Sequence, residues 1–459
     1  MIDSDYEAFL ERKRVRAQPS GFEPGPMPDC MFDFQKDVTA FCLRQGRAAL
    51  FLDTGLGKSI CILEWCRQAA ERSNGCALIL TPLAVAKQFE REALKFGYDC
   101  RVVRSADDVR SGINVCNYDR LDGLDVSAFG AVALDESSIL KSIQGKTRIS
   151  LTQAFADTPY RLCATATPAP NDHAELGNHA EFLGIMRAPE MLARWFINDT
   201  STASQTWRLK KAAVTDFWDW VASWARCAES PFDLGYDGSN FILPKMHTIR
   251  HQAMGDIRSP AGSLFIEDLS ATNIHDVKRQ TAETRASKAA EIMAEYAGEV
   301  WLIWTDTDYE ADAVKAVIPD LIEVRGAMTP EQKEAAIERF IGGGVSLLTK
   351  PLVCGAGLNF QHCANTIYIG RSFSYESFYQ SVRRLWRYGQ KREVWVHLIV
   401  AEGEDQIGRV IDAKATNHNI MKAAMKAAMK RAIKPQTGAK IPYHPTHHAK
   451  VPSWLKSVA

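Results

Sequence analysis

Residues 48–60 read AALFLDTGLGKSI, an apolar strand that runs directly into a glycine-rich turn. A helical pattern follows from Ile60, so the segment has the strand–loop–helix order that a phosphate-binding loop requires. Its two glycines would let backbone N–H groups converge on a phosphate at the N-terminus of a helix. This stretch therefore predicts an α/β fold with a phosphate site at the end of a strand.

Two polar side chains of the predicted phosphate loop have specific predicted roles. Lys58 would reach the β- and γ-phosphates of a nucleotide, and the Ser59 hydroxyl would be a ligand of Mg²⁺. Leu52 occupies the position of the first glycine in the full G-x-x-x-x-G-K-[ST] pattern, and an ordinary glycine-rich turn is the alternative. The context favours a site for ATP and Mg²⁺ whose nucleotide-binding residues are Thr54, Gly55, Leu56, Gly57, Lys58 and Ser59.

Short apolar runs alternate with helical segments on both sides of a central interruption, which is typical of parallel α/β sheets. In residues 28–185 the predicted strands are 48–52, 77–80, 101–103, 113–116, 131–134 and 161–164. In residues 281–412 a helix is predicted at 287–296, and the predicted strands are 300–304, 321–324, 345–348, 366–369 and 394–399. The predicted fold class is therefore α/β, with two parallel-sheet lobes.

Three segments lie outside the two predicted lobes. Residues 1–27 begin as a charged helical segment and end in a loop rich in glycine and proline. Residues 186–280 predict a mainly helical insertion with an aromatic core formed by Trp195, Trp207, Trp218, Trp220 and Trp224. Stacking of these tryptophans on bases is the alternative. Residues 413–459 are a basic tail with nine Lys/Arg and no Asp or Glu.

Within the tail, methionines and lysines each recur every four residues. A helix would place a stripe of methionines beside a stripe of lysines: Met421, Met425 and Met429 beside Lys422, Lys426 and Lys430. Packing of this helix on the second lobe, with its charged face in solvent, is favoured. The alternative is a contact with duplex phosphates, which would make DNA binding strongly salt-dependent.

The composition favours some classes of protein and argues against others. The 55 Lys+Arg balance 55 Asp+Glu, so the net charge gives no indication of nucleic-acid binding. The 11 cysteines show no C-x-x-C pair and no metal-ligand spacing, which favours reduced, mostly buried thiols. The N-terminus lacks an apolar signal segment, and no apolar stretch is long enough to span a membrane. A cytoplasmic protein without a membrane partner is therefore expected.

Residues 131–136 read AVALDE, an apolar strand that ends in two acids. Because the carboxyl ends of strands face the ligand in sheets of this kind, Asp135 could hold Mg²⁺ while Glu136 orients and deprotonates an attacking water. A solvated strand end is the alternative. Thr165 and Thr167 follow another short strand, and their hydroxyls could sense phosphate chemistry. A capped turn is the alternative for these two residues.

A pair of arginines lies in residues 380–390, which read QSVRRLWRYGQ. Arg384 and Arg387 are spaced i, i+3, so on a helix they would share one face. Facing a γ-phosphate from the second lobe, they would act as arginine fingers that stabilise charge in the transition state. A solvated, charged helix face is the alternative. Together with the phosphate loop, these arginines suggest an ATP site split across a cleft, with candidate catalytic residues Lys58, Asp135, Glu136, Arg384 and Arg387; the arginine pair by itself favours the solvated face.

The order of these motifs resembles superfamily two helicases, and most closely the Swi/Snf-like DNA translocases. In the first half the matching segments are 31–35 (MFDFQ), 54–59 (TGLGKS), 81–82 (TP), 135–138 (DESS) and 160–172 (YRLCATATPAPND). In the second half they are 301–305 (WLIWT), 355–361 (GAGLNFQ) and 380–390. Ser138 departs from the family pattern, in which a histidine is usual. The compact chain resembles the stand-alone members carried by bacteriophages and bacterial mobile elements, which implies the cytoplasm of a bacterial host.

The resemblance implies two RecA-like lobes and further roles for single residues. Gln35 would contact adenine. Coupling of the nucleotide to the bound strand would involve Ser138, Thr165, Thr167 and Gln380. The nucleic acid would cross both lobes, with its backbone held mainly by polar groups. The candidates for those contacts are Thr81, Asn117, Thr349, Lys350 and Gly355.

The activity that the resemblance implies is ATP-dependent translocation on double-stranded DNA by a monomer. A helicase that separates strands or remodels forks and branched DNA is one alternative, and RNA is disfavoured only by the resemblance. An ATP-gated DNA clamp, or a loader for a partner nuclease, is an alternative of another class. A replication protein is a further candidate partner.

Overall fold

A computed structural model describes residues 15–82, 85–142, 145–199, 206–253, 271–355, 357–401 and 405–433. The charged helix predicted at the start of residues 1–27, Ala356 of the glycine-rich turn and the part of the basic tail beyond Ile433 lie outside these ranges.

The first lobe is built on a seven-stranded sheet in which every strand pair is parallel. Six strands coincide with predicted ones: β1 (Arg47–Leu52), β2 (Cys76–Thr81), β3 (Cys100–Val102), β4 (Gly112–Asn117), β5 (Ala131–Asp135) and β6 (Tyr160–Ala164). The seventh, β9 (Ala225–Ala228), comes from the segment predicted as a helical insertion. The order is β3-β4-β2-β5-β6-β1-β9. Strands β1, β2 and β4 are buried after their first residue, which explains their continuous apolar sequences.

Helices and an aromatic core complete this lobe. The helices are α1 (Asp33–Gln45), α2 (Lys58–Arg72), α3 (Ala86–Lys95), α4 (Lys146–Ala154), α5 (Leu176–Phe182), α6 (Ala188–Trp195) and α7 (Val214–Trp224). Between α6 and α7 lies an antiparallel hairpin, β7 (Phe196–Asp199) and β8 (Thr206–Leu209). Trp195, Trp218, Trp220 and Trp224 are buried in the core of the lobe. The predicted aromatic core is therefore confirmed, although its segment contains strands as well as helices.

The second lobe is built on a six-stranded parallel sheet with the order β10-β15-β14-β11-β13-β12. Its strands are β10 (Met246–Ala253), β11 (Trp301–Trp304), β12 (Ile322–Val324), β13 (Leu347–Thr349), β14 (Asn365–Tyr368) and β15 (Val394–Ala401). Its helices are α8 (Ala271–Gln280), α9 (Ala282–Glu295), α10 (Asp308–Val317), α11 (Pro330–Ile341), α12 (Pro351–Cys354) and α13 (Tyr375–Val382). Only β10, a polar edge strand, lacks a counterpart among the predicted strands.

The last described helix, α14 (Asp405–Ile433), contacts both lobes. Near its start, Ile407 and Ile411 pack against Tyr375 of the second lobe. Near its end, Met421, Met425 and Met429 are buried in the core of the first lobe. The prediction of a packed helix is confirmed, but the prediction that it packs on the second lobe is wrong for the methionine stripe. None of the described helices, α14 included, is both long enough and apolar enough to cross a bilayer.

All eleven cysteines lie within the described residues, and each is a free thiol. Nine of them are buried: Cys42, Cys61, Cys66, Cys100, Cys116, Cys163, Cys227, Cys354 and Cys363. The prediction of unpaired, mostly buried cysteines is confirmed. Burial raises the pKa of several of these thiols, for example that of Cys354 to about 11, so the neutral form is favoured.

Candidate active site

The glycine-rich loop between β1 and α2 has the geometry of a phosphate loop. Gly55 and Gly57 have φ angles of 93° and 79°, a backbone conformation that glycine adopts without steric cost. Gly57 is also the N-cap of α2, and a Cβ atom there would lie 2.2 Å from Nε2 of Gln35. The loop therefore depends on these glycines, and its N–H groups lie at a helix N-terminus, where the helix dipole favours an anion.

Lys58 is the first residue of α2 and points back over the loop. Its Nζ donates to the carbonyl oxygens of Leu52 at 2.9 Å and Asp53 at 3.4 Å. Burial lowers the pKa of Lys58, and the negative charges of Glu136, Asp53 and Asp135 oppose this effect. The ammonium group thus contacts the loop backbone and is close enough to the predicted acids to feel their charges.

Gln35 holds the loop from the side of α1. Its Oε1 accepts from the backbone N–H of Phe32 at 3.0 Å, and its Nε2 donates to the carbonyl of Leu56 at 3.0 Å. Gln35 lines the cavity described below, as does Phe32. Its amide group supports the shape of the loop in addition to facing the predicted nucleotide site.

The two acids at the end of β5 are held differently. Oδ2 of Asp135 accepts from Thr81 Oγ1 at 3.0 Å, and its carbonyl accepts from Tyr118 OH at 2.7 Å. Burial, followed by the charge of Glu136, raises the pKa of Asp135 to about 7, while Lys58 opposes the rise. Glu136 has a φ of 57°, and no other non-glycine residue among those described has a positive φ. Such local strain is typical of functional positions.

Three of the four residues predicted to couple the site to its surroundings, Ser138, Thr165 and Thr167, lie in one hydrogen-bond network with Glu136. Its Oε1 accepts from Thr165 Oγ1 at 2.6 Å and from Ser138 Oγ at 3.3 Å. Thr165 Oγ1 in turn accepts from the N–H of Thr167 at 3.0 Å. Ser138 and Thr165 therefore both donate to the carboxylate of Glu136. Gln380, on α13, donates to Glu376 at 3.4 Å and lines a different cleft.

The two predicted arginine fingers lie side by side, although they are not helical. Helix α13 ends at Val382, and Arg384 and Arg387 follow in a turn. Nη1 of each donates to the carbonyl of Leu358, at 3.1 Å from Arg384 and 3.3 Å from Arg387. Burial, followed by the charge of Arg387, lowers the pKa of Arg384 to about 10. Nε of Arg387 is buried without a hydrogen-bond partner. The prediction of a shared helix face is wrong, because the chain turns before these residues.

A cavity of about 410 Å³ between the lobes brings the predicted catalytic residues together. Its walls include, from the first lobe, Lys58, Ser59, Asp135 and Glu136. The second lobe contributes Arg384 and Arg387. The lobes are close here, since a Cβ atom on Gly55 would lie 2.9 Å from the backbone nitrogen of Tyr388. The sequence motifs of the two halves thus face one cavity.

Asp53, which is not among the predicted site residues, joins the lobes beside this cavity. Its carboxylate accepts hydrogen bonds from Tyr379 OH and from the guanidinium of Arg383. Burial alone would raise the pKa of Asp53, but the charges of Lys422 and Arg383 and the Tyr379 hydrogen bond hold it well below its usual range. In the sequence, the one indication of a role for Asp53 is its position directly after the buried apolar strand β1.

An aromatic cluster forms another part of the cavity wall. Phe241 stacks on Tyr388 with ring centroids 4.5 Å apart, and its centroid is 5.3 Å from that of Phe32. All three residues line the cavity. Phe241 lies in the irregular connection before β10, where no sequence pattern selected it. Flat aromatic faces of this kind suit the stacking of a nucleobase.

The residues proposed to contact nucleic acid have different environments. Thr81 and Thr349 are buried, and their hydroxyls donate to Asp135 and to the carbonyl of Val324, respectively. Asn117 is buried, with no hydrogen-bond partner for Oδ1. Gly355 ends α12, where its N–H donates to Pro351. Of the five candidates, only Lys350 lines the second cleft between the lobes, which measures about 690 Å³.

Ser59 and Asp135 fit a magnesium site at the phosphate loop. Both line the cavity, and hydroxyl and carboxylate oxygens are the ligands that Mg²⁺ prefers. Among the described residues no group of three or more His, Cys, Asp or Glu side chains is arranged to hold a metal ion. Mg²⁺ in nucleotide sites usually takes one or two protein ligands and completes its coordination with phosphate oxygens and water. Two protein ligands are therefore a sufficient donor set.

A scan against models of protein families finds no match to this chain, and a search of curated proteins finds no similar sequence.

Proposed function

We propose that this chain hydrolyses ATP between two RecA-like lobes and uses the cycle to translocate on double-stranded DNA. One observation carries the proposal: Lys58, the two acids at the end of β5, and Arg384 with Arg387 line a single cavity. Phosphoryl transfer depends mainly on positioning and charge stabilisation. An arrangement of one lysine, two acids and two arginines from opposite walls supplies both requirements.

Each residue has a distinct role in the proposed reaction. Lys58 and the N–H groups of the loop bind the phosphates, and the turn arginines stabilise negative charge as the bond to the γ-phosphate breaks. Glu136, held by Thr165, orients the attacking water and accepts its proton. Ser59 and Asp135 would hold Mg²⁺, which when bound offsets the charge of the phosphates.

The two lobes would move relative to each other because the site is divided between them. The arginines reach the nucleotide only when the lobes are close, so hydrolysis and release would change the distance between the lobes. The second cleft would take a nucleic-acid path across both lobes, with phosphates exchanging for the present partners of its two lysines: Glu376 for Lys141 of the first lobe and Asp308 for Lys350 of the second. Cationic groups of this kind contact phosphates without reading sequence.

The decisive experiment measures ATP hydrolysis with duplex DNA, single-stranded DNA, forked DNA and RNA side by side. We expect duplex DNA to stimulate hydrolysis most. Displacement of the third strand from a DNA triplex then separates a translocase from an ATP-gated clamp, since only a translocase displaces it. Unwinding of a forked duplex would favour a helicase, and an absence of hydrolysis with all four nucleic acids would refute the proposal.

A further inference from the structure

Lys422 of α14 is buried at the junction of the two lobes. Only 3% of its surface is exposed, although it lies in a stripe of lysines. Its Nζ is 3.2 Å from Tyr379 OH, 3.5 Å from Oε1 of Glu229 and 3.9 Å from Oδ2 of Asp53. The lysine therefore joins a buried set of charges that includes the first residue of the phosphate loop.

The surroundings of Lys422 attach it to the first lobe. The neighbouring Met421 and Met425 are buried in the core of that lobe. Lys426, one turn further on, pairs with Glu229 and lies 3.4 Å from Asp233, both in the segment after β9. Tyr379 and Arg383, by contrast, belong to the second lobe. Asp53 thus has one cationic partner that would move with the second lobe and one that stays with its own.

Asp53 holds the first part of the phosphate loop in place through hydrogen bonds. Its Oδ1 accepts from the N–H of Thr54 at 2.7 Å, and its carbonyl accepts from the N–H of Leu56 at 3.3 Å. The same carbonyl accepts from Nζ of Lys58 at 3.4 Å. A displacement of Asp53 would therefore be transmitted directly to the loop and to the phosphate-binding lysine.

We propose that Lys422 is a positioning residue of the proposed ATPase: the counterion that keeps Asp53, and with it the phosphate loop, in place when the second lobe moves away. The inference rests on the proposed function. A buried carboxylate without a partner is strongly destabilising. When Arg383 and Tyr379 withdraw, Lys422 keeps the Asp53 charge compensated, so the loop stays ready for the next nucleotide.

The test compares Lys422→Met with Lys430→Met, an exposed lysine of the same stripe, by steady-state ATPase kinetics with duplex DNA. We expect Lys422→Met to raise KM for ATP about tenfold and to change kcat less than about threefold, because Arg383 compensates Asp53 once the lobes have closed. Binding of a fluorescent ATP analogue in the absence of DNA should weaken by a similar factor. Lys430→Met should leave both quantities unchanged.

A double-mutant cycle with Asp53→Asn separates positioning from packing. If Lys422 acts through Asp53, adding Lys422→Met to Asp53→Asn changes KM by less than about twofold. An equal rise of KM in both backgrounds, or a wild-type KM for Lys422→Met, overturns the inference. Should Lys422→Met not fold, a folded double variant with the KM of Asp53→Asn supports the inference, whereas an unfolded double variant makes Lys422 a packing residue and overturns it.

A different variant, Lys58→Ala, tests the proposed function. Wild-type turnover in Lys58→Ala would refute the proposed ATP site at the phosphate loop, and with it the role of every residue assigned to that site. An inactive Lys58→Ala together with wild-type kinetics of Lys422→Met would refute only the role of Lys422.

Discussion

The guanidinium of Arg383, directly after α13 of the second lobe, donates a hydrogen bond to the carboxylate of Asp53 at the start of the phosphate loop of the first lobe. Both side chains are buried. The next residue, Arg384, faces the cavity that contains Lys58. Arg383, which makes this contact between the lobes, is thus the residue directly before a predicted catalytic arginine. Closure of the lobes and delivery of Arg384 should therefore occur together.

The variant Arg383→Met tests this link between closure and catalysis. Loss of one partner of a buried, hydrogen-bonded ion pair typically costs about 2–5 kcal/mol. In this protein the loss would destabilise the arrangement in which the two lobes are closed. We expect kcat to decrease at least about tenfold, with nucleotide binding preserved because Lys422 still compensates Asp53. Steady-state ATPase kinetics with duplex DNA measure both effects. Arg392→Met, which removes a half-exposed arginine of the same lobe, is the control; equal kinetics of the two variants would contradict the link.

Lys58 and Arg387 should fail in different ways. Lys58→Ala removes the cation that we propose binds the phosphates, so turnover should decrease about 100-fold or more. Arg387→Ala should retain nucleotide binding and lose about 1000-fold in turnover, since a finger arginine acts mainly in the transition state. Nucleotide titration and single-turnover hydrolysis distinguish the two effects. Lys391→Ala, an exposed cation near the same turn, should behave like the wild type, and normal turnover in Arg387→Ala would rule out a site shared by the lobes.

Much of the fold, and the gathering of the predicted site residues around one cavity, could be predicted because the signals are local. Strands such as β1 and β5 are buried on both faces and appear as apolar runs. Lys58 and Glu136 follow these two strands, which have only β6 between them in the sheet. Parallel strands place their carboxyl ends at one edge. The convergence of the lysine and the acids therefore follows from the order of elements in the sequence.

The contacts that the sequence could not supply are long-range or lack a repeating pattern. Arg383 and Asp53 are 330 residues apart, and neither belongs to a periodic motif. Strand β9 has only four residues, and β10, at the edge of its sheet, consists mostly of polar residues without a regular alternation. The lysine stripe of α14 resembles a solvated or DNA-binding face, yet Lys422 and Lys426 pair with acids of the first lobe. Tertiary partners decide such cases, and a single sequence does not specify them.

The second lobe contains a buried ion pair whose removal should affect stability. Nη1 of Arg285 lies 2.9 Å from Oε1 of Glu310, and both side chains are fully buried. Arg285→Met leaves the carboxylate buried without its partner, so we expect a loss of about 3–5 kcal/mol in the free energy of unfolding. Lys288→Met, which removes a solvent-screened ion pair of the same helix, should leave the free energy of unfolding nearly unchanged. Urea denaturation measures both values, and similar midpoints for the two variants would contradict the prediction.

Glu175 should make stability dependent on pH. Burial raises its pKa to about 7 from an ordinary value of 4.5, while hydrogen bonds from Asn171 oppose the rise. Between these values the folded protein keeps a proton that the unfolded chain has lost, so stability decreases as the pH rises through this window and then stays level. Glu175→Gln removes the ionisation and should stabilise the protein by about 3 kcal/mol at pH 8, with little effect near pH 4.5. Thermal unfolding across this pH range, with the exposed Glu190→Gln as control, measures the difference; a constant difference at every pH would mean that Glu175 does not titrate as proposed.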